Sequence, residues 1–109
     1  MDFDAFQAAV TAHPLVLAWL TAPDCRVCDA LRPKVDAILA RHGAWRKVFV
    51  DLSVSPEVSG QLTVFSVPTI VLYTGGRQGP RFGRALFLDD LEATIERYED
   101  LFGRAGEPA

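Results

Sequence analysis

Blocks of basic residues are missing from this chain: its 11 Lys and Arg are scattered among 14 Asp and Glu, for a formal net charge of −3. Nucleic acid and anionic membranes are held by a basic footprint that replaces released counterions, so neither is an expected partner. Long apolar runs are missing as well. Leu15–Leu20 is apolar throughout but falls far short of the roughly 18 residues that a bilayer-spanning helix needs. Ahead of it stand Asp2 and Asp4 and no Lys or Arg, so the positive start of a secretion leader is absent and a cytoplasmic location is expected. Internal repeats and linker-like stretches are absent too, and 109 residues at 50% hydrophobic and 23% charged predict one domain over residues 1–109, with a frayed tail from about residue 104.

Cysteine is scarce: Cys25 and Cys28 are the only two, and the spacing Cys25-Arg26-Val27-Cys28 is too short to staple distant parts of a fold. In a reducing compartment such a close pair is redox-active or binds metal. A metal site would need more ligands. There is no second Cys-x-x-Cys and no closely spaced His pair, and His13 and His42 are simplest as helix-end residues. No metal and no cofactor are therefore expected.

Phe3, Phe6 and Val10 recur at helical spacing before His13-Pro14, and Leu15–Leu20 then reads as a buried strand. Thr21-Ala22-Pro23-Asp24 is a turn with Asp24 available as a cap, after which Cys28, Leu31, Val35, Ile38 and Leu39 mark one face of a helix ending near Gly43. A second strand is predicted over Trp45–Val50 with Asp51 at its end, and Ser55-Pro56 opens a short helix towards Leu62. Val67–Tyr73 predicts a strand, Thr74-Gly75-Gly76-Arg77 a turn, and Arg81–Leu86 the second arm of a hairpin. Gly75 and Gly76 open no helix, so they form no phosphate loop. Leu88, Leu91, Ile95, Tyr98 and Phe102 predict a final helix closed by Gly103; its stripe, Trp45 and Phe49 are assigned to the core. This order predicts an α/β fold in which a central mixed sheet carries helices on both faces.

The segment Thr21–Cys28 resembles the active-site loop of the thioredoxin family, and Val67-Pro68-Thr69 resembles that family's cis-proline segment. Pro33, and the stretch Lys47–Asp51, fall where thioredoxins have a helix-kinking proline and the following strand. The resemblance covers nearly the whole chain and implies a thioredoxin-like fold. Only two residues precede Phe3, so it also implies four strands, without the usual first one.

Cys25 at the start of a helix meets unpaired N–H groups and the positive end of the helix dipole, both of which favour thiolate. Cys28, one turn further in, can displace a mixed disulfide formed at Cys25. The resemblance assigns the same roles: nucleophile to Cys25, resolving thiol to Cys28. It also implies a cis Val67-Pro68 bond close to Cys25, with the Val67 backbone free to pair with an extended substrate and Pro68 positioning it. Where thioredoxins carry Gly-Pro between the cysteines this chain has Arg26-Val27, and Asp24 stands where a tryptophan usually precedes the nucleophile. Arg26 favours the Cys25 thiolate and Asp24 opposes it. Trp19 occupies the position of the family's buried, proton-accepting aspartate, which leaves Lys47 as a candidate for moving that proton. The expected activity is thiol–disulfide oxidoreduction on protein or small-molecule disulfides by a monomer, with a reductase or a low-molecular-weight thiol as electron donor. The alternative is a redox-inactive thioredoxin-fold binding or scaffold protein.

Overall fold

Seven consecutive buried residues, Leu15–Thr21, form strand β1 in the computed structural model, which describes residues 1–103. The tail expected to fray from about residue 104 lies outside the described residues. Side chains alternate across a strand, so Val16, Ala18 and Leu20 enter one core with Phe6, Val10, Val58 and Leu62. Leu15, Leu17 and Trp19 enter the other with Cys28, Val35, Ile38, Leu91 and Ile95. A strand apolar at every position is thus one covered on both sides.

The first core lies under α1 (Phe3–Thr11) and α3 (Pro56–Leu62), and the second under α2 (Arg26–Ala40) and α4 (Leu88–Tyr98). The sheet has the order β2-β1-β3-β4, where β2 is Arg46–Asp51, β3 Thr69–Thr74 and β4 Arg77–Phe82. β2 runs parallel to β1 after the α2 crossover, whereas β3 pairs antiparallel with both β1 and β4. Four strands in a mixed sheet match the architecture expected from the sequence.

Several expectations are corrected. The second arm of the hairpin is Arg77–Phe82 and not Arg81–Leu86. Gly75 and Gly76 both have positive φ, 58° and 80°, as a two-residue hairpin turn of this twist requires, so pairing resumes at once with Arg77 opposite Thr74. A register irregularity between Val71 and Tyr73 then accommodates Gly79-Pro80, which an edge strand tolerates. Helix α2 ends before Gly43, because the N–H groups of Arg41 and His42 bond back to Ile38 and Leu39 and leave no need for a left-handed glycine. Phe49 and Phe102 are not core: they are 42% and 44% exposed, Phe49 on the edge strand and Phe102 in the π-helical segment Glu99–Gly103 that follows α4.

At the far end of α2, His42 ties the two helices of its face together. Its Nδ1 lies 2.7 Å from Glu99 Oε1 and its Nε2 2.9 Å from Glu92 Oε2, so both ring nitrogens face carboxylates.

Candidate active site

β1 ends at Thr21, and four residues carry the chain from the sheet to the start of α2. Pro23 opens the turn and Asp24 takes a left-handed conformation, φ 58°, which aspartate tolerates better than most residues. Asp24 therefore does not cap the helix, contrary to expectation. Cys25 is the N-cap: its Sγ accepts the N–H of Cys28 at 3.2 Å. Cys25 is half-buried, Cys28 is 3% exposed, and the two are joined as a disulfide with their Cα atoms 5.2 Å apart. Further along α2, Pro33 lacks the N–H that would bond the Asp29 carbonyl one turn back.

The Val67–Pro68 segment closes over this helix start. The peptide bond is cis, Pro68 is buried, and the Val67 carbonyl oxygen lies 4.0 Å from Cys25 Sγ. The loop is braced at both ends. The Thr69 hydroxyl donates to the Ser66 carbonyl at 2.8 Å, and the Arg81 guanidinium donates to the Leu62 carbonyl at the end of α3. Val67 itself makes no backbone–backbone hydrogen bond among the described residues.

Behind Cys28 lies a cavity of about 190 Å³ whose lining includes Trp19, Asp29, Arg32, Phe49 and Asp51. Trp19 is 1% exposed and stands in register between Phe49 of β2 and Ile70 of β3. The Arg32 guanidinium lies over the Phe49 ring, 4.6 Å from its centroid. The Asp51 carboxylate accepts from the Ser53 hydroxyl at 2.6 Å and its N–H at 2.9 Å, and these bonds hold it below the usual carboxylate range.

The structure brings Trp19, Asp24, Cys25, Arg26, Cys28, Val67 and Pro68 around one pair of sulfurs. It does not bring Lys47. That ammonium donates to Asp36 at 2.6 Å, two turns beyond Asp29 on α2, and the ion pair holds it away from the cavity lining. Lys47, the expected proton carrier, is thus engaged with Asp36 and does not line the cavity behind Cys28. Among the described residues, the one grouping with metal-ligand proximity is His42, Glu92 and Glu96. It lies at the opposite end of α2 from Cys25, a helix about 22 Å long at 1.5 Å per residue, and His42 is already bonded through both ring nitrogens.

Sequence reasoning missed a second set of residues. Phe65, Ser66 and Arg84 form, with Val67, the wall of the cleft opposite Pro23–Val27. Arg84 belongs to the turn between β4 and α4, which only the correct hairpin register puts beside the cysteines.

Three comparisons bear on this arrangement. The family model described as Thioredoxin matches residues 1–97. The chain is 30% identical to thioredoxin 1 of a Nostoc species, over 76% of this chain and 78% of that one, and 25% identical to a thioredoxin-like protein of Bacillus subtilis, over 85% and 83%. In fold it is similar to the oxidized mitochondrial thioredoxin 3 of Saccharomyces cerevisiae, with a TM-score of 0.79, 21% identity, and coverage of 88% of this chain and 90% of that one. The thioredoxin of Trypanosoma brucei brucei gives a TM-score of 0.80 at 18% identity, covering 92% and 90%.

Proposed function

The chain belongs to the thioredoxin family and is a thioredoxin-like disulfide oxidoreductase, and from that premise we propose that Cys25 attacks substrate disulfides and Cys28 resolves the product. One observation carries the assignment: Cys25 Sγ receives the Cys28 N–H at the positive end of α2, so a negative charge on that sulfur is stabilised before any substrate arrives.

The Cys25 thiolate attacks one sulfur of the substrate disulfide; a Cys25–substrate disulfide forms and the other substrate sulfur leaves as thiolate and takes up a proton. Cys28 then loses its proton and attacks Cys25 Sγ, which expels the second substrate thiolate and closes the Cys25–Cys28 disulfide. Each turnover converts one substrate disulfide into two thiols and oxidises one cysteine pair, a two-electron exchange. A reductase or a low-molecular-weight thiol returns the two electrons. One pair per chain suffices for each turnover, which supports action as a monomer, and a return of electrons from such donors is in keeping with a reducing, cytoplasmic location. The Val67 backbone and the cis Pro68 beside Cys25 support docking of an extended substrate strand there. Exposed Arg26 favours the Cys25 thiolate and Asp24 opposes it, both weakened by solvent and salt.

Among the described residues no helix is long and apolar enough to cross a membrane. Reduction of insulin disulfides with a small dithiol as donor tests the reading directly. Turnover is expected, and Cys28→Ser should accumulate a mixed disulfide that Cys25→Ser cannot form. Absence of turnover, with no species trapped, would leave a binding protein on a thioredoxin fold.

A further inference from the structure

Two guanidiniums stand on opposite walls of the cleft that holds Cys25. Arg26 opens α2 on one side; Arg84 projects from the β4–α4 turn on the other, with Ser66 and Val67 beside it. Both are exposed, and among the described residues neither forms an ion pair or a side-chain hydrogen bond. Three other arginines are occupied: Arg41 binds Glu92, Arg81 binds the end of α3, and Arg32 lies on Phe49. The cleft, of about 430 Å³, sets these two cations against the single acid Asp24, in a chain whose formal net charge is −3. It is a positive patch on a negative molecule, at the place where the reaction occurs.

The surroundings suit a peptide more than a small molecule. Phe65 is 81% exposed on the rim. A second hollow of about 580 Å³ shares Ser66 and Arg84 with the first and runs along Arg81–Leu86 to Phe87, itself 73% exposed. The two together make a track that passes Cys25 and continues beyond Arg84, with Phe82, Leu86 and Phe87 along it and the acid Asp90 set against Arg81 and Arg84. A strand laid against the Val67 backbone repeats its side-chain direction every second residue, about 7 Å apart. Residues one or two places from the substrate cysteine then come within reach of long arginine side chains.

We propose that this cleft selects disulfides set in acidic, extended peptide segments, with Arg26 and Arg84 binding carboxylates on either side of the bond being reduced. The proposal rests on Cys25 as the attacking thiol and adds the class of substrate it meets. Guanidinium matches carboxylate bidentately, and exposed charges of this kind act through encounter and orientation. Each exposed pair is worth up to about a factor of five, so the two together give about tenfold selectivity at low salt.

The test compares kcat/KM for two otherwise identical disulfide-linked peptides carrying Glu or Lys beside the cysteine, with a neutral aromatic disulfide as reference. The Glu peptide should be preferred about tenfold at low ionic strength, and the preference should shrink as salt is added. Arg26→Gln and Arg84→Gln should each reduce the ratio, and Arg84→Glu should push it towards the Lys peptide; Asp24→Asn should raise it. Because both arginines are exposed and unpaired, these variants keep the fold. A Glu-to-Lys ratio near one in the parent, or a ratio unmoved by both arginine variants, overturns the proposal while leaving the reductase reading intact. Failure to reduce even the neutral disulfide overturns both.

Discussion

Replacing Trp19 by aspartate isolates the step in which Cys28 gives up its proton. Trp19 is 1% exposed, lies on the central strand, and shares with Cys28 the cavity of about 190 Å³. An indole offers only an N–H donor and cannot receive that proton. A thiol near its unperturbed pKa of about 8.5 is only a few per cent ionised at neutrality, so resolution by the parent should accelerate with pH well into the alkaline range. Truncating a buried aromatic costs about 3–5 kcal/mol, and a carboxyl in its place adds a desolvation cost, which the cavity eases by admitting water and by presenting Arg32. Against a usual domain stability of about 5–15 kcal/mol, the variant is weakened and its urea transition must be measured first. Trp19→Asn is the control, with the same lost packing and no base. A dipyridyl disulfide in single turnover releases one chromophore on attack by Cys25 and a second on resolution by Cys28, so stopped-flow absorbance separates the two steps. The second phase near neutrality should be at least about tenfold faster with aspartate than with asparagine, as general bases usually contribute that much or more. If a folded Trp19→Asp protein resolves no faster than Trp19→Asn, the missing carboxylate does not limit this enzyme.

In the reduced protein, iodoacetamide at neutral pH should modify half-buried Cys25 well before Cys28, which is 3% exposed; equal rates would reverse the division of labour. The pKa of His42 is raised: burial lowers it, but the hydrogen bonds to Glu92 and Glu99 outweigh that. Its contribution to stability is therefore fully present below about pH 6.5, the unfolded value, and is lost as pH rises through the higher folded value. Urea unfolding of the parent and His42→Gln should converge on the alkaline side, and a difference that grows there would refute the clamp. Glu92, drawn down to about 2 by Arg41 first and His42 second, stabilises above its ordinary value and ceases to as pH falls towards 2, so Glu92→Gln should lose its destabilising effect in acid. The Tyr73 hydroxyl is buried without a partner among the described residues, and burial pushes its pKa to about 12. Tyr73→Phe should leave stability unchanged or raise it by about 1 kcal/mol, and a clear loss on thermal unfolding would reveal a hydrogen bond to that oxygen.

The elements legible in the sequence were those whose burial repeats along the chain. β1 reads as a strand covered on both faces because both faces carry apolar groups, and α2 because Cys28, Val35 and Ile38 return to one side. The cysteine pair was legible from spacing alone, and Pro68 from resemblance. β4 was misplaced because Gln78-Gly79-Pro80 has little strand propensity; the Gly75-Gly76 turn and the pairing to β3 impose the structure. Phe49 reads as core in the sequence because apolar character does not show that a strand lies at an edge. The capping role fell to Cys25 because Asp24 turns left-handed, a choice the composition of the turn leaves open. Arg84 carries no local mark at all. Its relation to Arg26, 58 positions earlier in the chain, exists only once the sheet has closed.

The hydrogen bond from the Cys28 N–H makes the reactive sulfur part of the backbone scaffold. A thiolate accepts such a bond more strongly than a sulfur already in a disulfide. The first turn of α2 is thus held tightest when the protein carries its electrons and loosens when it has given them away. The amide proton of Cys28 becomes an internal gauge of the redox state: its chemical shift and exchange rate should step between reduced, mixed-disulfide and oxidised forms. The slackening thus accompanies capture of the substrate, when Cys25 passes from thiolate to mixed disulfide, and the turn tightens again only when the pair is reduced.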